Sequence, residues 1–354
     1  MSTANLDSAD LKGVDHNGLI HEDVMSRIWD ISNIPLPLTD RIDSDDADNA
    51  YKEWTTDKLQ DPDTENARVD GSDTVDNNDT NPPADPGTVG YNAEPARQGN
   101  HCQISTKTVK VSTRSRNSDT IGQSDSLGYQ VMMRQRELRR DVEAIMLTNQ
   151  ASLADDGDTV AGLSAGLGAW LTINSDKPAD GVFGGFANGI VAAYTPGTAR
   201  ALTETIVRDV AENVYNEGGD PSMFMSVPTV IRKFSSYLFT SSARIATLQS
   251  DTGQAKESVT AKGSVNVFVT DFDVVLDLVP NRIQQVVSAG VANAYILTPE
   301  YLALAMLHGY RTEPLAKTGL ADKRQMAVDW TLVVNTQRAH GAILDIDITA
   351  DVTQ

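Results

Sequence analysis

Ser164 stands in the pentapeptide Gly162-Leu163-Ser164-Ala165-Gly166. A Gly-x-Ser-x-Gly turn is the form in which many hydrolases expose a nucleophilic serine between a buried strand and a helix. A carboxylate and an imidazole must then follow to activate it, and Asp271, Asp277 and His340 follow in the permitted order. The context is wrong for that chemistry. The preceding residues DDGDTVA are too few and too acidic for a buried central strand, and the glycine-rich stretch 157–189 offers such five-residue matches by chance. A serine hydrolase centred on Ser164 is therefore an alternative, and a non-catalytic connector is the expectation.

The other reactive residue types form no site. From Asp43, the sixth calcium-loop position is Asp48 where glycine is required, and the twelfth is Trp54 where a bidentate Glu is needed. From Asp61 the twelfth is Ser72. His16, His21, His101, His308 and His340 show no metal-ligand spacing, and neither GxxxxGK[ST] nor GxGxxG occurs. The single Cys102 excludes an internal disulfide framework and a cysteine-built zinc site. No cofactor and no metal are expected.

Two groups remain that suit contacts between chains. Arg134, Arg136, Arg139 and Arg140 crowd one short segment. They could grip nucleic acid, but bases on a long helix more often pair with acids, and residues 1–100 supply 22 acids against 7 bases. Trp54 lies in 51-YKEWTTDKLQDPDTENARVDGSD-73, a segment with no apolar row to build a core, so an interface role and local packing both stand for it, and Arg68 is a base within its acid. Trp54, Arg68, Arg134, Arg136, Arg139 and Arg140 are the candidate subunit-interface residues.

The whole chain of 354 residues carries a net charge of −20, with 37 Asp, 12 Glu, 18 Arg and 11 Lys. Such a surface repels phosphate backbones. The Asp-rich, Lys-poor bias suits a high-salt habitat, where repulsion is screened. No apolar run is long enough to span a membrane. The opening MSTANLDSADLKGVD lacks a basic and an apolar region, so no secretory signal is expected.

These residues need elements to position them. Ile34-Pro35-Leu36-Pro37-Leu38 reads as part of an extended arm, because proline excludes interior helix and central strand. Tyr51 to Leu59 reads as a strand, residues 60–96 as an acidic tip and residues 101–116 as the returning strand of a long hairpin. Residues 126–153 read as one long helix, with Leu127, Val131, Leu138, Val142 and Ile145 at three- and four-residue steps. Thr195-Pro196 and Thr298-Pro299 read as capped helix starts. Leu202, Ile206, Val210 and Val214 read as a helical stripe ended by Gly218-Gly219. Met223–Met225 reads as a strand, Pro228 as a helix start and residues 264–282 as a β-hairpin bent at Thr270-Asp271. Residues 295–297 and the alternating 326–334 read as strands, with 342–348 as the partner of the latter.

This order of parts resembles the major capsid proteins of tailed viruses (bacteriophage or archaeal), with the Hong Kong 97-like capsid fold. The residues are similar to the SU-ten-type phage major head proteins at EWTTDKLQDPDTENARVDGSD (53–73), VKVSTRS (109–115), RQRELRRDVEAIML (134–147), VFVTDFDVVLDLVPNR (267–282) and LAKTGLADKRQMAVDWTLVVNTQRAHGAI (315–343). The chain departs from that pattern at Asp273, where a glycine is expected, and in the expanded acidic stretch 71–96.

The resemblance implies an α+β fold. It would comprise an N-terminal arm (1–50), an extended loop hairpin with an acidic tip (51–118), a peripheral domain with the spine helix (119–195), an axial domain (196–310) and return strands (311–354). It also implies that the loop lies across a neighbouring subunit, which would bury in trans a strand that lacks a core of its own, and that the arm reaches round another. The function implied is structural. Hexamers and pentamers of a homo-oligomer would form an icosahedral shell in the virion, made in the host cytoplasm. The shell would enclose double-stranded DNA without sequence-specific binding, with portal and accessory or decoration proteins as partners. No covalent cross-link is expected. A non-viral surface or adhesin protein is a further alternative, but it would need the missing signal.

Overall fold

The computed structural model describes residues 35–57, 70, 96–118, 125–240, 267–272, 274–284, 286–288 and 290–352. The strands are β1 (Asp43–Asp46), β2 (Tyr51–Thr56), β3 (Ala96–His101), β4 (Gln103–Ser112), β5 (Gly185–Ala187), β6 (Ile190–Ala192), β7 (Met223–Ser226), β8 (Val267–Val269), β9 (Val275–Pro280), β10 (Val291–Leu297), β11 (Leu302–Leu315), β12 (Ala321–Val334) and β13 (Gly341–Asp347). The helices are α1 (Thr113–Asn117), α2 (Ser126–Met146), α3 (Leu167–Trp170), α4 (Glu204–Asn216) and α5 (Pro228–Thr240).

Contacts divide the described chain into two units, one of residues 106–137 and 312–326, the other of the remainder. In the larger unit a five-stranded sheet runs in the order β13-β10-β7-β9-β8. Its pairs are antiparallel except β7 with β9, which align Phe224 with Leu278 in parallel. Helices α4 and α5 bury Val207, Val210, Val230, Ile231 and Phe234 in one apolar cluster with Phe224, Phe268, Leu276, Ile296 and Ile343 from the sheet. A second sheet has the order β1-β11-β12-β4, with β1 parallel to β11. Its acidic outer strand, Asp43-Ser44-Asp45-Asp46, is exposed at every residue, and such charge deters another strand from pairing there.

Local chemistry explains several boundaries. Thr203 caps α4, its Oγ1 accepting from Ile206 N at 3.1 Å, and Gly218 ends it with φ 91°. The 21 residues of α2 extend about 31 Å, shorter than the expected reach to residue 153. The helix stops where residues 163–168 wrap its end. Thr148 O accepts from Gly168 N at 3.1 Å, and Leu147 O accepts from the Tyr295 hydroxyl at 3.0 Å.

Other expectations are corrected. The hairpin's returning strand is β3, which pairs Tyr51 with His101 and Thr56 with Ala96; residues 103–112 belong instead to the second sheet. Thr195-Pro196 starts no helix, and α4 begins nine residues after Thr195. Thr298-Pro299 opens one 3-10 turn (Pro299–Tyr301) and then a 14-residue strand, because the Thr298 hydroxyl donates to Ala339 O at 2.8 Å instead of capping. The strand from Gly341 pairs with β10, not with β12. Residues 1–34, the tip 60–69 and 71–95, and Asp273 lie outside the described residues.

Candidate subunit interface

The Gly-x-Ser-x-Gly stretch is a buried junction. Ser164 has no exposed surface. Its Oγ accepts from Leu332 N at 3.2 Å and from Asn100 Nδ2 at 3.2 Å, and lies 3.3 Å from Thr331 Oγ1. Asn100, equally buried, also donates to Leu332 O at 2.9 Å and accepts from Ala165 N at 3.0 Å. None of these partners is an imidazole or a carboxylate. Asp271 pairs with Arg208, Asp277 pairs with Arg41, and His340 Nδ1 accepts from Thr298 N at 3.2 Å. The two glycines have a packing reason. A Cβ on Gly166 would meet Thr148 O at 2.3 Å, and one on Gly162 would meet Cys102 O at 2.8 Å. Burial, then the charge of Asp329, pushes the Cys102 thiol up to about 11, so it is no ready nucleophile.

Trp54 is held within its own chain. In β2 it is half-buried, with its ring 5.4 Å from that of Trp170, which stacks on Phe186 at 5.7 Å. It rests on Ala47, Cys102, Ala303, Ala305 and Val333. Tyr51 fixes the same strand by donating to Gly189 O at 3.0 Å. The hairpin's root therefore has a core in cis, supplied both by nearby Ala47 and Cys102 and by residues more than a hundred positions away. The exposed side of the root carries the Arg97–Glu53 ion pair.

The arginines of α2 separate by environment. Arg134 pairs with Glu137 one turn on, and Arg136 is exposed. Arg139 lies over the Tyr310 ring at 5.3 Å, while Arg140 keeps an enclosed Nε with no hydrogen-bond partner among the described residues. Of the acids expected to pair with them from residues 1–100, the described Asp45 and Glu53 pair instead with Lys52 and Arg97, while those of residues 1–34 and of the acidic tip, and Arg68, lie outside the described residues.

One buried group escaped the sequence reading. Glu143 has no exposed surface, and its carboxylate accepts from Leu38 N at 3.2 Å, Thr39 N at 3.2 Å, Thr39 Oγ1 at 2.8 Å and Asn281 Nδ2 at 2.7 Å. Four neutral donors hold one carboxylate and fasten the end of the arm to α2 and to the turn after β9. Its one sequence signal is an acid beside Val142 on a face otherwise apolar.

The sequence profile of the SU10 major capsid protein family matches residues 3–347. The chain belongs to that family. The membership places it among the proteins of viral capsids, in keeping with the resemblance read from its motifs. The major capsid protein of Escherichia phage Phieco32 is 30% identical over 171 residues, which are 46% of this chain and 45% of that relative. The match thus spans about half the length of each. Among solved structures, the capsid of cyanophage A-1(L) superposes with a TM-score of 0.54 at 12% identity, covering 96% of this chain and 99% of that one. The holo-SrpI encapsulin complex of Synechococcus elongatus PCC 7942 gives a TM-score of 0.53 at 12% identity, covering 96% and 98%. The fold is the α+β, Hong Kong 97-like capsid fold. No helix among the described residues is long and apolar enough to cross a membrane.

Proposed function

We propose that copies of this chain assemble as hexamers and pentamers into the icosahedral shell of a virion enclosing double-stranded DNA. The observation that carries this reading is the family match over residues 3–347. The likeness to capsid folds supports it. In this reading the arm is residues 1–50, residues 196–310 surround the capsomer axis, and residues 119–195 with 311–354 form the periphery. Trp54 anchors the loop's root at home, while Arg68, the half-buried Arg134 and the exposed Arg136 face neighbours. Portal and accessory proteins complete the particle. DNA is enclosed without sequence-specific contact, because a chain of net charge −20 repels it. The protein is no enzyme: Ser164 serves packing.

The acidic residues between the paired strands β2 and β3 make this testable. Both ends of that segment leave one fixed root, the paired strands β2 and β3, and in this reading the residues between them make the contact with another copy. Deleting residues 60–96 and rejoining the strands should leave the body folded by circular dichroism and abolish closed particles in electron micrographs. Unfolding of the body would return the segment to an intramolecular core. Unaltered particles would remove its role in assembly.

A further inference from the structure

Among the described residues, strands β2 and β3 form a ribbon with no third strand beside it. A lone hairpin is only marginally stable in water, so the direction of this one is set by what holds its root. The groups that hold it differ in kind. Trp54 supplies apolar contact, but its enclosed Nε1 has no hydrogen-bond partner among the described residues, so the indole grips without fixing an angle. Tyr51 donates to Gly189 O, which lies at the tip of the β5–β6 hairpin, itself a pair of three-residue strands. Lys52 reaches Asp46 O at 2.7 Å and Asp45 at 3.0 Å, both at the surface.

Asn100 is different. It pairs with Lys52 in the ladder and has no exposed surface. Its amide is used on both sides. Oδ1 accepts from Ala165 N at 3.0 Å, and Nδ2 donates to Leu332 O at 2.9 Å, to Ser164 Oγ at 3.2 Å and to Ala165 O at 3.4 Å. Those partners come from β12 and from the loop ahead of α3, so one planar group is held between two separate segments. Sliding or turning the ribbon breaks at least one of these buried bonds, and a buried group left unpaired is costly. Two residues on, Cys102 N donates to Ala50 O at 2.7 Å, where the chain passes into β4 of the second sheet. Burying an amide adds little net stability once its desolvation is counted. What a fully satisfied amide adds is a single defined arrangement.

We propose that Asn100 is a positioning residue for assembly: it fixes the angle at which the β2–β3 ribbon leaves the body, and through that angle the contact made with the next copy. The second half rests on the reading that copies form a shell. The angle is measurable without one.

Spin labels at Thr55→Cys on β2 and Glu212→Cys on α4, both exposed positions, read the angle by pulsed dipolar spectroscopy in a Cys102→Ser background. Diluting labelled chains in unlabelled ones restricts the reading to distances within one copy. The intact junction should give one narrow distance. Asn100→Ala should broaden it at least twofold. Ser164→Ala, which leaves Asn100 its bonds to Ala165 and Leu332, should keep it narrow at a comparable loss of denaturant midpoint. In micrographs, Asn100→Ala particles should stay open or vary in diameter, while Ser164→Ala particles match the unaltered ones. Asn100→Ser, which keeps a hydroxyl at the site, carries the same test if Asn100→Ala does not fold. A narrow distance without the amide would overturn the proposal, as would equal broadening by both substitutions. Broadened distances with unaltered particles would overturn the role in assembly. If the unaltered chain forms no particles, the shell reading fails, and the distances still decide what Asn100 does at the root.

Discussion

The two units of this protein hold together in different ways. The larger unit closes over Trp170, Trp330, Tyr295, Phe224 and Phe234, all fully buried, and meets its interior polar groups with long-range hydrogen bonds such as those of Asn100 and Glu143. The smaller has five buried apolar side chains among its described residues, and at its surface it shows ion pairs such as Arg116–Asp322. Exposed ion pairs contribute roughly 0–1 kcal/mol each, whereas fully burying one large side chain contributes about 1.5–3 kcal/mol. Stability therefore resides in the larger unit.

The sharpest test of that contrast is Trp330→Ala. The side chain is fully buried in β12 and donates through Nε1 to Ser105 Oγ at 3.1 Å. Its removal should cost about 3–5 kcal/mol, read as a fall in the denaturant midpoint. A loss under about 1 kcal/mol would mean that the larger unit's core is not what holds the fold.

His340 gives the next largest effect, and it depends on pH. Burial depresses its pKa from 6.5 to about 4. Above pH 6.5 the imidazole is neutral in both states, and its contribution is fully present. As pH falls from 6.5 toward 4, the unfolded chain takes up a proton that the folded chain refuses, so stability declines. The decline is about 1.4 kcal/mol per pH unit and about 3 kcal/mol in all. His340→Gln should flatten that slope between pH 6.5 and 5 in urea titrations. An unchanged slope would place the acid sensitivity elsewhere.

Ser164→Ala removes the acceptor for Leu332 N and should cost about 1–3 kcal/mol of stability. The unaltered protein should resist a fluorophosphonate probe. Stoichiometric labelling of Ser164 would revive the hydrolase alternative. At the small end, Arg116→Ala in the other unit should change stability by less than about 0.5 kcal/mol, because its carboxylate keeps Lys317. A cost above about 2 kcal/mol would show that the smaller unit leans on its ion pairs after all.

Much of the fold was legible where a local pattern decides it. The stripe of α2, the hairpin at Thr270-Asp271 and the alternation from Met326 to Val334 each match the structure within a few residues. Pairing between distant strands was not legible. Residues 302–315 begin LALAML, a good helix pattern, and become a strand because β1 and β12 lie on either side. Residues 96–101, ARQGNH, carry no strand signal, yet they close the hairpin because Tyr51 and Trp54 find partners at Gly189 and Trp170. The buried serine was misleading for a related reason. Gly162 and Gly166 are explained by backbone passing within Cβ distance, and that backbone comes from Cys102 and Thr148.

The central claim is assembly, and the most direct measurement is sedimentation velocity with negative-stain imaging of the purified chain from 0.1 to 3 M salt. The account predicts closed particles of uniform size. Their yield should rise with salt as the Debye length shrinks from about 10 Å at 0.1 M to about 3 Å at 1 M and the crowded acids of residues 1–100 cease to repel across subunits. A strictly monomeric species at every salt concentration would contradict it.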